Sequence, residues 1–257
     1  MRTGPNAGVY TIDPDGRNER LVRSAGEVPR WSPDGTLLTL VEDHPDGPVL
    51  VVIKPDGSGR RVIHPDPTLN LGVAVWSPDG TWLAVEGWDD KKPSRNGVWL
   101  MRAKDGSGLR QLTTGHAVPG GFSPDGREVS YVRLSEDEAG SLGVVDVDTG
   151  KSRAVGDLTV GLYSGFMPDG QSLFATSEGR IVILDRSGHQ IGKVEVAEPH
   201  MIEAGLSRDG QHFVFGYDPE AAAAPGIYRT DLHGGDFAKV VHTDIGGIEE
   251  VAPDWGP

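Results

Sequence analysis

Four histidines (His64, His116, His200 and His242) and four glutamates (Glu27, Glu203, Glu249 and Glu250) are the side chains whose type and placement would permit chemistry. Each lies ahead of an aromatic or apolar residue that recurs along the chain, at a position the recurrence does not dictate. Tyr163 belongs with them, because the equivalent place elsewhere is Val or Pro. Imidazoles and carboxylates converging on one pocket can bind a divalent cation such as Ca²⁺ or Mn²⁺, or a cationic ligand. His116, His200 and Glu203 are the candidate metal ligands. The competing reading of each is a solvated loop residue.

Other chemistries lack their motifs. No Gly-x-Ser-x-Gly elbow, His-Glu-x-x-His helix or Gly-x-x-x-x-Gly-Lys loop occurs. Asp13-Pro14-Asp15-Gly16 lacks the spaced ligands and distal glutamate of a calcium loop, and reads as an ordinary turn. With no cysteine, disulfides, zinc–thiolate sites and cysteine nucleophiles are excluded.

The elements that must position these residues are set by a repeat. Trp31-Ser32-Pro33-Asp34-Gly35 returns as Trp76-Ser77-Pro78-Asp79-Gly80 and as Phe122-Ser123-Pro124-Asp125-Gly126. Drifted copies are Phe166-Met167-Pro168-Asp169-Gly170 and Leu206-Ser207-Arg208-Asp209-Gly210, and Trp255-Gly256-Pro257 begins a sixth. The steps are 45, 46, 44, 40 and 49 residues, the period of a four-stranded propeller blade. Proline presets φ for the turn, aspartate bonds neighbouring backbone and glycine accepts positive φ. A strand follows each turn, over 37–41, 82–86, 128–132, 172–176 and 212–216. Another follows over 49–53, 98–102, 142–147, 181–184 and 227–230. A second glycine turn (Gly57, Gly106, Gly150, Gly188, Gly235) leads to a short last strand.

This pattern resembles the TolB-like, WD40-like propeller repeat over essentially the whole chain. The resemblance implies one all-β domain over 1–257, a six-bladed β-propeller of four-stranded antiparallel blades. Its closing blade would be built from both termini. The chain begins on a third strand, over 9–12, and the first strand of that blade lies over 248–255. Sequence for its second strand is missing, since 1–7 is short and Pro5 disfavours a central strand. Either the boundary is trimmed or an open edge awaits a partner strand.

In such a propeller the segments leading into the first strands rim the channel, and they carry the histidines and glutamates above. The loops over 87–96, 135–140 and 218–226 emerge on the same face. Trp88, not required by the repeat, is there either a partner anchor or packing for its own loop. The resemblance thus implies a non-catalytic module that recognises a protein or small ligand at its channel face, through His116, Tyr163, His200, Glu203, Glu27, Glu250 and Trp88. The alternative is a metal-dependent lyase, because a lyase family on a related propeller uses channel histidines with a metal.

The formal charge of −14 argues against nucleic acid, whose phosphates need a basic face. No apolar run approaches a membrane span and the first residues carry no apolar signal segment. The family implies an extracytoplasmic location, and an acidic closed propeller is most simply a monomer.

Overall fold

The computed structural model describes residues 7–135, 140–195, 201–217, 226–241 and 253–256. A two-stranded sheet, β1 (Val9–Thr11) and β2 (Arg20–Arg23), comes first and belongs to the closing blade. Five four-stranded antiparallel sheets follow. Blade 1 is β3 (Glu27–Trp31), β4 (Leu38–Glu42), β5 (Val49–Ile53) and β6 (Arg61–Ile63). Blade 2 is β7 (Asn70–Trp76), β8 (Trp82–Trp88), β9 (Gly97–Arg102) and β10 (Arg110–Gln111). Blade 3 comprises β11 (Ala117–Phe122), β12 (Glu128–Leu134), β13 (Gly140–Asp146) and β14 (Ser152–Val160). In blade 4 come β15 (Ser164–Phe166), β16 (Ser172–Ser177), β17 (Arg180–Asp185) and β18 (Gln190–Lys193). Blade 5 ends the series with β19 (Met201–Leu206), β20 (His212–Tyr217), β21 (Gly226–Asp231) and β22 (Ala238–Lys239). The all-β propeller expected from the repeat is what forms. No helix among the described residues is long and apolar enough to cross a membrane.

The repeated turn works as its chemistry requires. Ser32 Oγ accepts the Leu37 amide at 2.9 Å and donates to Asp34 Oδ1 at 2.7 Å, while the Gly35 amide closes the turn onto Ser32 O at 2.9 Å. Ser77, Ser123 and Ser207 repeat the arrangement. In the drifted copy Met167 has no hydroxyl, so Asp169 turns to Ser172 Oγ at 2.5 Å instead. Successive turns also touch. Pro33 packs beside Gly80, Pro78 beside Gly126, Pro124 beside Gly170 and Pro168 beside Gly210. Gly210, at φ 68°, has no room for a side chain, since a Cβ would lie 2.3 Å from Pro168.

Apolar cores lie between neighbouring blades. Blades 1 and 2 share Leu50, Ile63, Leu83 and Met101, whereas blades 4 and 5 share Phe174, Phe213, Phe215 and Tyr228. Among the described residues the closing sheet is seated on blade 5 through Val214, Ile227, Val240 and Val241 against Ile12 and Trp255. Polar latches supplement that seat. Glu42 on β4, its side chain 8% exposed, takes Arg23 of β2 at 2.9 Å and Arg60 at 2.6 Å. Asp254 Oδ2 accepts the Trp31 amide at 2.7 Å. Arg208, standing where other turns have proline, reaches past the closing blade to Ser32 O at 2.5 Å.

These carboxylates set the acid limit of the fold. The Ser32 hydroxyl, helped by the Thr36 amide, holds Asp34 at about 2, and serine hydroxyls likewise lower Asp79, Asp125 and Asp209. Hydrogen bonding from Arg60, then Arg23, depresses Glu42 despite its burial. A folded-state pKa below the unfolded value stabilises above the unfolded value, and the benefit is lost as pH falls through the folded one. Stability is therefore expected to be flat from neutral pH to about 5 and to fall steeply between about 4 and 2. Urea midpoints measured across that range would check it. A midpoint unchanged at pH 2.5 would contradict it.

Candidate functional site at the channel

The channel is lined by two positions of each inner strand, three residues and one residue before the recurring aromatic or apolar residue. A bulge exposes them. The register slips between Glu27 and Arg30, Leu71 and Ala74, Pro119 and Gly121, and Ile202 and Gly205. Val28 and Glu203 pass through positive φ at 43° and 55°, which turns both toward the axis. At the first position stand Val28, Val73, Pro119, Tyr163 and Glu203. At the second stand Arg30, Val75, Gly121, Gly165, Gly205 and Asp254. Valine, proline and glycine are the repeat's background and leave a cavity of about 750 Å³. Four polar residues break that background, Tyr163 and Glu203 on blades 4 and 5, Arg30 and Asp254 on blade 1 and the closing blade.

They form a chain across the channel. The Arg30 guanidinium lies 5.6 Å from the Tyr163 ring centroid and donates to Pro29 O at 2.9 Å. Burial pushes the Tyr163 phenol up to about 12, opposed in part by the Arg30 charge and reinforced by the Glu203 carboxylate, to which the phenol donates a hydrogen bond. Tyr163 is therefore a hydrogen-bond donor at neutral pH and not a base. Burial also raises Asp254, against the pull of Arg30, the Trp31 and Trp255 amides and Arg208. A second pair sits between blades 2 and 3. Exposed His116 places Nε2 3.3 Å from Oε1 of Glu86, whose side chain is only 16% exposed. Burial raises Glu86 above the usual carboxylate range, and the His116 charge works against that rise.

No family model matches the chain. Among solved structures it superposes on one assigned as TolB from Agrobacterium tumefaciens with a TM-score of 0.72 at 19% identity, covering 89% of this chain and 86% of that one. TolB from Acinetobacter baumannii gives a TM-score of 0.72 at 17% identity, over 96% of this chain and 62% of that longer one. The fold is that of a TolB β-propeller. An oligogalacturonate lyase in complex with manganese is also similar, at a TM-score of 0.60 and 16% identity over 90% of this chain and 73% of that one. The TolB-type fold is thus also similar to that of a lyase solved with manganese.

The residues singled out from sequence divide into three groups. Tyr163, Glu203 and His116 line the channel cavity. Glu27 opens β3 opposite Val41, exposed and outside the cavity lining. Trp88 is the last residue of β8, half-buried, with its ring against Gly72 beside Glu86; it is part of the sheet and not of the following loop. The third group, His200, His242, Glu249 and Glu250, lies outside the described residues. His64 is taken up in its own loop, with Nε2 3.2 Å from Leu69 O. Among the described residues no three His, Asp or Glu side chains gather closely enough to hold a metal ion. The loop after Trp88 does meet the rim segment, as the topology requires. Arg95 bonds Asp89 Oδ2 at 2.8 Å and Thr68 Oγ1 at 2.7 Å, and it pairs with Asp66.

Sequence reading missed Arg30, Asp254, Arg208 and Glu86. The signal for three of them was present in the repeat itself. Arg30 and Asp254 occupy a column otherwise filled by valine and glycine, and Arg208 replaces the turn proline.

Proposed function

We propose that this chain is a non-catalytic recognition module, one TolB-type propeller domain that binds a protein segment or small ligand at its channel face. The observation that carries the reading is the Arg30–Tyr163–Glu203 array, set among valine, proline and glycine in a channel that Asp254, Glu86 and His116 also line. It offers a guanidinium, a phenol that remains protonated and a carboxylate. Such a set orients a ligand bearing both a carboxylate and donor groups, as a free peptide terminus or a sugar acid does. His116 with Glu86, and Trp88 beyond them, extend the contact surface along the rim. His200 and Glu250 are proposed for the same rim on their sequence positions, and Glu27 for its outer edge. On the family likeness the module works outside the cytoplasm; its charge of −14 argues against nucleic acid, no apolar run suits membrane insertion, and as an acidic closed propeller it is taken as a monomer.

The test is a nuclear magnetic resonance screen of short peptides with free termini and of galacturonate oligomers. Binders are expected to perturb the amides around Arg30, Tyr163 and Glu203 and to weaken about tenfold in Arg30→Ala, the worth of one charge-assisted hydrogen bond. Binders that perturb only outer strands would sink the reading. The likeness to the manganese-containing lyase keeps a metal-dependent lyase as the second reading. Calorimetric titration of Mn²⁺ and Ca²⁺ into chelator-treated protein decides it. Saturable binding, lost in a His116→Ala/His200→Ala/Glu203→Ala variant, would favour the lyase.

A further inference from the structure

Blade 2 departs from the repeat at two places that meet in space. Gly72 and Glu86 stand where blade 1 pairs Glu27 with Val41, blade 3 pairs Val118 with Val132 and blade 5 pairs Ile202 with Gly216. The two departures depend on one another. A Cβ at Gly72 would lie 2.5 Å from Glu86 Oε2, so any side chain there would displace that carboxylate. The Trp88 ring, two residues further along the same strand, crowds Gly72 from the same side and backs the carboxylate. Glu86 is thus largely buried yet still lines the channel cavity, where His116 of blade 3 meets it at 3.3 Å. The charges around the cavity are unevenly matched. Its carboxylates are Glu86, Glu203 and Asp254, and its guanidiniums are Arg30 and Arg208. Arg30 and Arg208 both act on Asp254, while Glu203 accepts the Tyr163 hydroxyl. Among the described residues Glu86 has the His116 imidazole and the Val73 amide, and no Lys or Arg. A carboxylate taken this far out of water is best stabilised by a cation at hand.

We propose that the Gly72–Glu86–His116 corner is an ammonium subsite of the channel, so that the ligand is a zwitterion, an amino acid or short peptide with both termini free. The inference rests on the recognition reading above and narrows its ligand. Arg30 takes the ligand carboxylate, and Glu86 supplies the negative charge and the acceptor oxygens for the ammonium. The two groups come from neighbouring blades and line one cavity of about 750 Å³, within the range of small-ligand pockets. A sugar acid has hydroxyls to donate to Glu86 but no positive charge, so it leaves the buried carboxylate uncompensated. The ammonium of a peptide terminus compensates it at the moment of binding. Gly72 keeps the carboxylate in place to do so, because nothing larger fits between it and the inner strand.

The test measures binding of trialanine with free termini, of N-acetyl-trialanine and of trialanine amide to the full chain by calorimetry. N-acetylation is expected to weaken binding about tenfold or more, the loss of one charge-assisted contact. In Glu86→Gln, which keeps the shape and removes the charge, the free and acetylated peptides should bind alike. Gly72→Ala, which displaces the carboxylate without removing it, should weaken the free peptide and leave the acetylated one unchanged. Thermal unfolding of both variants separates a lost subsite from a lost fold, and the comparison of peptides on the unmodified chain needs neither variant. Equal binding of the free and acetylated peptides to the unmodified chain would overturn the inference. A loss on amidation alone would then still uphold the recognition reading through Arg30. Discrimination that persists in Glu86→Gln would overturn the assignment to this corner. Absence of binding by all three peptides would overturn it as well, and the galacturonate oligomers would then decide the broader reading.

Discussion

Replacing Phe213 with alanine is expected to cost about 3–5 kcal/mol of folding stability. The ring is fully buried and meets Phe174 edge to face, with centroids 5.2 Å apart and planes at 67°. Its neighbours come from both sides of the interface between blades 4 and 5, including Met167, Ile181 and Phe215. Strands held in two hydrogen-bonded ladders cannot collapse into the space the ring leaves, so a cavity term adds to the lost transfer energy. Val240→Ala, at the seat of the closing sheet on blade 5, should cost only about 1–2 kcal/mol. Their local consequences should be reversed. Loss of Val240 is expected to accelerate exchange in Val9–Thr11 first, while Phe213→Ala lowers protection in every blade. Urea denaturation gives the global cost and exchange gives the local one. A Phe213→Ala cost below about 1.5 kcal/mol would mean that the interface repacks, contrary to the constraint argued for it.

The blade plan was legible because the turn fixes it chemically. Ser, Asp and Gly at their spacing make the same bonds at 32–35, 77–80 and 123–126, so a period in sequence is a period in space. Strand limits were less legible. β12 runs on to Leu134 and β8 to Trp88, because pairing with a neighbouring strand continues past the apolar run that marks them. Tyr163 stood out as a departure from a column of valine and proline, Glu203 as a carboxylate on a rim segment, and both reach the channel. Arg30, though it departs from a column of valine and glycine, and Glu86 were passed over. Each lies inside a strand, and alternation alone places a polar residue on an exposed face. Here adjoining blades cover both faces and a bulge redirects the inner strand, so polar side chains turn into the channel. Choosing rim residues by type also drew in His64 and Glu27, whose loop contact and exposure no pattern in the sequence foretold.

Removing the Arg30 charge should have the largest effect of any change in the channel. Arg30→Met keeps much of the side-chain volume but leaves the raised carboxyl of Asp254 with only Arg208 and the Trp31 and Trp255 amides to offset its burial. Arg30 acts on Asp254 through its charge and not as a hydrogen-bonded ion pair, so losing it is expected to cost about 1–2 kcal/mol. Protonation of Asp254, whose carboxyl burial already raises, limits that loss. The sign with pH follows from the raised pKa. A carboxyl raised in the folded state penalises folding once pH exceeds its unfolded value, most fully above the folded one. The Arg30→Met deficit is therefore expected to shrink as pH is lowered toward 4, opposite to the acid loss set by Asp34 and Glu42. Asp254→Asn in the Arg30→Met background should recover part of the stability, with a coupling of about 1–2 kcal/mol in the double-mutant cycle. A cycle that closes to within about 0.3 kcal/mol, with a deficit independent of pH, would show that Arg30 does not hold the closing blade. Arg30 would then be free for a ligand alone. A strong coupling instead makes ligand capture and ring closure depend on one guanidinium, so a ligand carboxylate drawn to Arg30 would compete with Asp254 and loosen the blade that carries Trp255.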